Sequence, residues 1–397
     1  MPRLKLAAVV TEYRKYSHAQ HIVDRFLYGY GWNGRHHRPE MDVVSMYVDQ
    51  RPESDASQSR ADDISTLKIY PTIAEALTRG TEKLAVDGVV LVGEHGNYGK
   101  NEKGQRLYPR YEFFKQIVDV FRDSGRSVPV FNDKHLSWNW DWAKEMVETS
   151  RELDFGLMAG SSLPVSRRIP PVEMPRDAKV EEAMSVSLGS VDSYDFHALE
   201  TLQCMVERRQ GGETGVVAMQ ALRGDAVWNA MERGSWADGG WDPALFEACL
   251  CRSHQLQSPR EGFSHLLPTA EDVPKMRPNP VAYRFEYADG MKATMLIGSG
   301  LLGDFTFASR LKSRPHPLSA LMFLPYYDLQ NFFSPLVNHM ETLFATGKSP
   351  YPIERTLLTT GLTAAGVESL FLGQKRIETP HLEIAYEPSH ESTYWQS

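Results

Sequence analysis

The N-terminal part of the chain alternates short apolar runs with segments whose apolar residues follow helical spacing. Runs rich in β-branched residues predict strands at residues 4–10, 42–49, 68–70, 86–92, 128–131 and 155–159. Helical spacing predicts helices between several of these runs, at residues 71–78, 111–122 and 138–153. Strands that alternate with helices form a parallel sheet with crossover connections. The pattern therefore predicts one doubly wound domain.

The pattern changes after Pro164, where the strands become longer and alternate. In residues 283–287 the aromatic side chains fall on one face and the charged ones on the other. Asp289-Gly290 then predicts a hairpin turn into a strand at 291–297. One face of this second sheet is expected to be buried, and the other to face water or a partner. Two helices are predicted after it, each with a glycine near its end, over residues 329–344 and 352–372.

Composition narrows the function classes. The chain has 397 residues, of which 42% are hydrophobic, so a low-complexity polymer is excluded and the length fits about two domains. The net charge is -8 without a cluster of Lys or Arg, which argues against nucleic acid as the main partner. No apolar run reaches the roughly 18 residues of a membrane span, so no membrane partner is expected. Only three cysteines occur, which argues against a disulfide framework and favours a cytoplasmic location.

Several short stretches, taken in order, resemble a known family. Residues 125–135 resemble a strand that ends in Glu-Lys-Pro, with Asn-Asp-Lys-His in its place, and residues 197–200 resemble a His-x-x-Asp motif. The other stretches are residues 70–77, 86–92 and 285–293. Their order and spacing resemble the Gfo/Idh/MocA family, the glucose-fructose oxidoreductase and inositol dehydrogenase type. The resemblance covers nearly the whole chain.

The resemblance implies an α/β protein of two domains. Residues 1–165 would form a Rossmann domain, a doubly wound parallel sheet that binds a dinucleotide. Residues 166–397 would form an α+β domain with a mostly antiparallel open sheet, which binds substrate and carries the oligomer interface. The implied activity is NAD- or NADP-dependent hydride transfer at a hydroxyl or keto group of a sugar, a polyol or a sugar-derived molecule. A homodimer or homotetramer is expected.

The dinucleotide site departs from the family pattern. The family's Gly-x-Gly-x-x-Gly turn lets backbone amides approach the pyrophosphate, but residues 10–19 here contain no glycine. Side chains would then hold the nucleotide, with Asp49 where the family's acidic residue meets a ribose hydroxyl. The resemblance assigns cofactor binding to eight residues: Thr11, Glu12, Arg14, Lys15, Asp49, Gly93, Glu94 and His95. The alternative is a surface turn in which Arg14 and Lys15 are solvated.

Three residues are predicted to be catalytic. By the resemblance, Lys134 takes the place of the family lysine that assists proton transfer, and His197 takes that of the catalytic or substrate-binding histidine. Asp195 lies two residues before His197, close to the position of the family's acidic residue. A lysine at a strand end can donate a proton when burial lowers its pKa. The alternative is that Lys134 pairs with Asp133 or Glu94 on the surface.

Substrate binding is assigned to Trp138, Glu200 and Trp228. His197 and Glu200 share one helix face because they are three residues apart, and such a polar line fits the floor of a pocket. Tryptophan rings fit the apolar faces of sugars, so a carbohydrate-like small molecule is the expected substrate. The open alternatives are a solvated helix start for Glu200 and a place in the core or an interface for the tryptophans.

Two further functions stay open. Imidazoles and carboxylates near the crevice suit Zn²⁺ or Mn²⁺ and would give a non-redox lyase, hydratase or isomerase that acts on a keto sugar. The candidate ligands are Glu94, His95, His135 and His197. The second alternative is a non-catalytic binding protein with the same fold, which the glycine-free turn favours.

Overall fold

The computed structural model describes residues 3–264 and 266–396. The elements of the first half are β1 (Leu4–Val10), α1 (His18–Tyr28), β2 (Tyr30–Trp32), β3 (Arg35–His37), β4 (Met41–Val48), α2 (Ser57–Asp63), β5 (Lys68–Tyr70), α3 (Ile73–Thr78), β6 (Gly88–Val92), α4 (Arg110–Ser124), β7 (Val130–Asp133), α5 (Trp140–Glu152) and β8 (Leu157–Gly160). In the described residues, six of these strands form a parallel sheet in the order β5-β4-β1-β6-β7-β8. The predicted parallel sheet is therefore confirmed.

The second half supplies a larger sheet. Its elements are β9 (Arg168–Ile169), β10 (Val180–Ser187), α6 (Asp195–Val206), β11 (Val216–Arg223), α7 (Asp225–Glu232), α8 (Pro243–Arg252), α9 (Asp272–Met276), β12 (Val281–Tyr287), β13 (Lys292–Ile297), β14 (Phe305–Leu311), β15 (Leu318–Met322), α10 (Ser334–Thr346), α11 (Ile353–Phe371) and β16 (Ile377–Glu378). The strand order over the described residues is β16-β11-β12-β13-β10-β14-β15-β9. Only β10 and β13 pair in parallel there, so the sheet is mostly antiparallel, as expected.

The first sheet is covered on both faces. Every residue of β6 is buried, which is why its sequence is a continuous apolar run. Helices α3, α4 and α5 pack on one face, and α1 packs on the other. Beside α1 lies α10 from the far end of the chain, whose Leu336 and Met340 join the same core as Leu6. The C-terminal residues therefore complete the core of the first sheet.

The second sheet differs from its prediction on one face. Helices α6 and α11 bury one face, through residues such as Leu202 and Leu362 packed with Phe285. The other face was expected to meet water or a partner. Much of it is instead covered by α7 and α8 of the same chain, where Trp228 and Leu245 share a core with strand residues. The pattern of apolar positions does not show that the segment between β11 and β12 folds back on the sheet.

Helix α6 connects the two sheets. Its Ala198 carbonyl accepts a hydrogen bond from Ser185 of β10, at 3.0 Å, and its Glu200 binds the residue that follows β8. The polar side of α6 therefore faces the carboxyl edge of the first sheet, where ligands bind in folds of this kind. Across residues 3–264 and 266–396, no helix has the length and apolar character needed to cross a membrane.

Candidate active site

A buried ion cluster lies at the carboxyl ends of β6 and β7. The Lys134 Nζ atom donates to Glu94 Oε1 at 2.8 Å, and Arg110 donates to Glu94 Oε2 at 2.6 Å. All three side chains are buried, and Arg110 also donates to His135 Nε2 at 3.0 Å. Lys134 has a positive φ of 64° and exchanges two backbone hydrogen bonds with Gly160. This geometry fixes the direction in which the Lys134 side chain leaves the strand.

The charges of this cluster decide the protonation of Lys134. Burial lowers the pKa of Lys134, but the carboxylates of Glu94 and Asp133 raise it by more, so the pKa lies above its ordinary value. Burial raises the pKa of Glu94, but Lys134 and Arg110 lower it well below its usual range. The expectation of a lowered lysine pKa is therefore wrong, because burial comes with a paired carboxylate. Lys134 is an ammonium group that can donate a hydrogen bond to a substrate oxygen.

A histidine that the sequence did not single out as catalytic lies beside Lys134. The Nδ1 atom of His18, the first residue of α1, is 2.8 Å from Asp133 Oδ2, and Asp133 is fully buried. The His18 ring also touches the edges of His95 and Phe333. A carboxylate on Nδ1 fixes the ring and leaves Nε2 for a ligand. His95 is itself held neutral, because burial and then His18 lower its pKa to about 3.

The predicted catalytic histidine, His197, is hydrogen-bonded on the side away from the cavity. His197 Nδ1 lies 3.0 Å from Ser161 Oγ, and Ser161 in turn hydrogen-bonds the Glu200 carboxylate. Burial, followed by the positive charge of Lys134, holds the pKa of His197 well below its usual range. Glu200 is 1% exposed, so it supports His197 and does not line the cavity.

These groups line one cavity of about 360 Å³ between the two sheets. Its polar lining includes His18, Glu94, His95, Lys134 and His197. Its aromatic lining comes mainly from the second half of the chain and comprises Tyr16, Tyr108, Tyr194, Phe305, Tyr326, Phe332 and Phe333. The cavity therefore combines the Lys134 ammonium and the neutral imidazoles of His95 and His197 with several aromatic rings.

Three predicted residues lie elsewhere. The Asp195 carboxylate accepts a hydrogen bond from Tyr283 at 2.9 Å and others from the start of its own helix, so it is a structural group behind the cavity. Trp138 packs against Trp142. Trp228 is 4% exposed and donates its indole N–H to the Arg277 carbonyl. The two tryptophans were chosen for their rings alone, and in both places the rings pack in the protein.

Of the residues assigned to the nucleotide, Glu94 and His95 line the cavity, and the others follow the carboxyl ends of β1, β4 and β6. Thr11 is fully buried and donates to the Glu94 carbonyl at 2.6 Å, so its hydroxyl is already used. Arg14 binds Glu12 at 3.0 Å and is close enough to His95 to lower the pKa of that ring. The Lys15 ammonium lies over the Tyr16 ring. Gly93 packs closely against Arg110, where a Cβ atom would approach the arginine side chain to 2.5 Å.

A dinucleotide can bind at the predicted site only if the Asp49 carboxylate can still accept a hydrogen bond from a ribose hydroxyl. The Tyr47 and Tyr98 hydroxyls donate to its two carboxylate oxygens, at 2.7 and 2.6 Å. A carboxylate has about four acceptor positions, and Asp49 is exposed, so it retains capacity for a ribose hydroxyl. Arg14 and Lys15 carry cationic groups of the kind that bind phosphate oxygens. The residues therefore fit a dinucleotide through side chains, without the backbone cradle of a glycine-rich turn.

Two of the four proposed metal ligands, Glu94 and His135, are bound to protein cations. Lys134 and Arg110 occupy Glu94, and Arg110 donates to His135. Within the part of the chain that the structure describes, no group of three or more His, Cys, Asp or Glu side chains could hold a metal ion. The sequence placed these residues near one another but could not show that cations lie between them.

Solved structures match the fold of this chain, although no family model and no curated protein matches its sequence. Among solved structures, GenD2 from gentamicin A biosynthesis, in complex with NAD, matches with a TM-score of 0.57 and 11% identity over 95% of this chain and 97% of its own. Myo-inositol dehydrogenase from Lactobacillus casei, in complex with NAD(H) and myo-inositol, matches with a TM-score of 0.55 and 9% identity over 95% of this chain and 96% of its own.

The chain shares its fold, a six-stranded parallel sheet beside a mostly antiparallel sheet, with these proteins. A myo-inositol dehydrogenase from Corynebacterium glutamicum ATCC 13032 agrees, with a TM-score of 0.52 and 10% identity over 95% of this chain and 98% of its own. The fold that the sequence resemblance implied is thus confirmed over nearly the full length of the chain.

Some site residues were outside the sequence prediction. Arg110 binds Glu94, Ser161 binds His197, and His18, which lines the cavity, binds Asp133. Asp133 stands in the predicted Asn-Asp-Lys-His strand end, so its position was available from the sequence. His18 and Ser161 lie 115 and 36 residues from their partners, and only the folded chain brings them together.

Proposed function

We propose that the protein is an NAD- or NADP-dependent oxidoreductase that acts on a hydroxyl or keto group of a sugar, a polyol or a sugar-derived molecule. The observation that carries this proposal is the buried Lys134 ammonium, held by Glu94 at the end of β7, in a cavity that neutral imidazoles also line. An ammonium group stabilises the negative charge that develops on a substrate oxygen, and an imidazole takes up its proton. GenD2, solved with NAD, and a myo-inositol dehydrogenase, solved with NAD(H) and myo-inositol, share this fold, which supports the same proposal.

Each of these residues would have its own role in the reaction. Lys134 donates a hydrogen bond to the reacting oxygen and holds it in place. Because the pKa of Lys134 is raised, the ammonium keeps its proton, and the neutral imidazole of His197 accepts the proton of a substrate hydroxyl. Glu94 and Arg110 keep Lys134 charged and oriented. When bound, the nicotinamide would supply or accept the hydride.

The nucleotide would be held by side chains at the edge of the cavity. Asp49 would accept ribose hydroxyls, and Arg14 and Lys15 would bind phosphate oxygens. The aromatic rings of Phe305, Phe332 and others would pack against the apolar face of the substrate. A cavity of about 360 Å³ suits a small carbohydrate.

The test is turnover by the purified protein. Inositols, hexitols and hexoses are offered with NAD⁺ and NADP⁺, and reduced nicotinamide is followed by its absorbance. We expect nucleotide-dependent turnover of at least one polyol or sugar. In the same preparation, nucleotide released by heating is measured by absorbance and fluorescence. If no substrate is turned over and added nucleotide does not raise the melting temperature, the proposal is wrong.

The assembly and location are part of the same proposal. A homodimer or homotetramer in the cytoplasm stays a prediction. Light scattering on the purified protein measures the assembly, and since α7 and α8 cover much of one sheet face, any contact between copies would need a further surface. A mass of one chain, 44.9 kDa, would contradict it.

A further inference from the structure

A buried serine and a buried glutamate lie behind the histidine of the cavity. Ser161 directly follows β8, and its backbone N–H donates to Glu200 Oε1 at 2.9 Å. Its hydroxyl donates to Glu200 Oε2 and lies 3.0 Å from His197 Nδ1. Ser161, His197 and Glu200 are 3%, 6% and 1% exposed. The three groups therefore form a network shielded from bulk water.

The direction of the hydrogen bonds follows from the chemistry of the groups. A carboxylate only accepts hydrogen bonds, so the Ser161 hydroxyl donates its one proton to Glu200. The Ser161 oxygen can then only accept from His197, and the shared proton belongs to Nδ1. The Glu200 Oε2 atom, 3.4 Å from the same Nδ1, is also an acceptor. In the carboxylate form of Glu200, His197 is thus the Nδ1–H tautomer, with a lone pair on Nε2.

The backbone at Gly160 leaves room for the Glu200 carboxylate. Gly160 has a φ of 122°, a conformation that side chains with a Cβ atom rarely adopt. A Cβ atom there would lie 2.9 Å from Glu200 Oε1 and 3.2 Å from Thr356 Oγ1. The glycine therefore lets the Glu200 carboxylate reach the backbone of Ser161. Within the described residues, no hydrogen bond uses His197 Nε2, and the ring lines the cavity.

We propose that Ser161 and Glu200 are positioning residues that hold His197 as its Nδ1–H tautomer, with Nε2 facing the cavity as the acceptor of the substrate's hydroxyl proton. The acceptor role rests on the proposed function, whereas the tautomer is a property of the protein alone. Neither residue touches the cavity itself.

The network should respond to pH near neutrality. Burial raises the pKa of Glu200 to about 7, against the hydrogen bonds from Ser161 and the charge of Arg355. The other groups that face Glu200 are Asp133 of β7, Tyr351 before α11, and His197 and Cys204 of its own helix. Once protonated, Glu200 can donate to the Ser161 oxygen, which frees the serine proton for His197 Nδ1. The Nε2–H tautomer should therefore gain population below pH 7.

Nitrogen-15 NMR of histidine-labelled protein tests the tautomer directly. The His197 signals are assigned by their loss in His197→Asn. At pH 8 we expect a protonated Nδ1 and a bare, pyridine-like Nε2, in the absence of any ligand. Ser161→Ala leaves only Glu200 Oε2, 3.4 Å away, as an acceptor for Nδ1–H, so the Nε2–H tautomer should gain population. Glu200→Gln supplies an amide donor in place of one carboxylate oxygen, so there the Nε2–H tautomer should become the major one.

A matched control is Ser150→Ala, which removes another buried serine whose hydroxyl binds a carbonyl within α5. It should leave the His197 signals unchanged. A protonated Nε2 in the wild-type protein at pH 8 would overturn the proposal, as would an unchanged tautomer in folded Ser161→Ala and Glu200→Gln. If the tautomer is as expected but no nucleotide binds, the proposed redox function fails while the positioning role stands.

Discussion

The reacting end of the crevice is built from buried side chains that bind one another, whereas the nucleotide end is built largely from exposed ones. Lys134, Glu94 and Arg110 are buried and mutually bonded, and His197 is supported by a second buried carboxylate. At the other end, Asp49 and Lys15 are exposed. A buried network holds its side chains in one geometry, and breaking it lowers the free energy of unfolding strongly. Exposed charged groups contribute little to that free energy. Substitutions at the two ends should therefore differ sharply in their effects.

The largest effect is expected at Lys134. Lys134→Met removes the hydrogen-bond donor to the reacting oxygen and should lower kcat/KM by about 10²–10⁴-fold. Steady-state kinetics with a substrate found in the turnover screen measures the loss. The matched control is Lys144→Met, at an exposed lysine that pairs with Glu148, and it should keep wild-type activity. Activity above half the wild-type value in Lys134→Met would remove this lysine from the mechanism.

The next effect is on stability. Glu94→Gln leaves the Lys134 and Arg110 cations buried without their carboxylate, and breaking such a pair costs about 3–5 kcal/mol of unfolding free energy. Urea denaturation measures the loss. Glu148→Gln breaks an exposed ion pair on α5 and should change the same quantity by no more than about 0.5 kcal/mol. Equal changes in the two variants would contradict the contrast between buried and exposed groups.

Glu200 should give the protein a distinct pH dependence. Its folded-state pKa of about 7 lies above its ordinary value of 4.5, so between these values the folded state holds a proton that the unfolded chain has released. The contribution of this group to stability is therefore present at acid pH and is lost as pH rises from about 4.5 to 7, by about 3 kcal/mol. The difference in unfolding free energy between wild type and Glu200→Gln should follow that course. A difference independent of pH would rule out this titration.

The smallest effect is expected at the nucleotide end. Arg14→Gln removes one side-chain cation that would bind phosphate, and the Kd for the nucleotide should rise roughly tenfold, equal to about 1.4 kcal/mol. Fluorescence titration with NADH or NADPH measures the change. Because Arg14 is partly exposed, the melting temperature should stay within a degree or two of the wild-type value. An unchanged Kd would place the phosphates elsewhere.

The sequence predicted the fold better than the site. Strands such as Leu4–Val10 were found at their observed ends because continuous apolar runs between polar turns have few other solutions. Lys134 and His197 were assigned to one site through the family resemblance, and both line the cavity. The pKa of Lys134 was predicted in the wrong direction, because its sign depends on Glu94, which is 40 residues away in sequence.

Contacts between residues far apart in sequence also explain why two predicted substrate-binding residues, Glu200 and Trp228, lie outside the cavity. Glu200 was predicted to bind substrate because it shares a helix face with His197. Its carboxylate instead accepts a hydrogen bond from Ser161, and it does not line the cavity. Trp228 was assigned to substrate as an aromatic ring, and it packs beneath the second sheet. A helix face or a ring type indicates which side chains point together. Which neighbour they meet depends on tertiary packing.

The crevice is proposed to bind a nicotinamide dinucleotide through side chains, next to Lys134. Isothermal titration calorimetry of the wild-type protein with NAD⁺, NADH, NADP⁺ and NADPH tests it most directly. We predict saturable binding of at least one of the four, with one molecule bound per chain. The absence of binding by all four, in a folded protein free of retained nucleotide, would contradict the account.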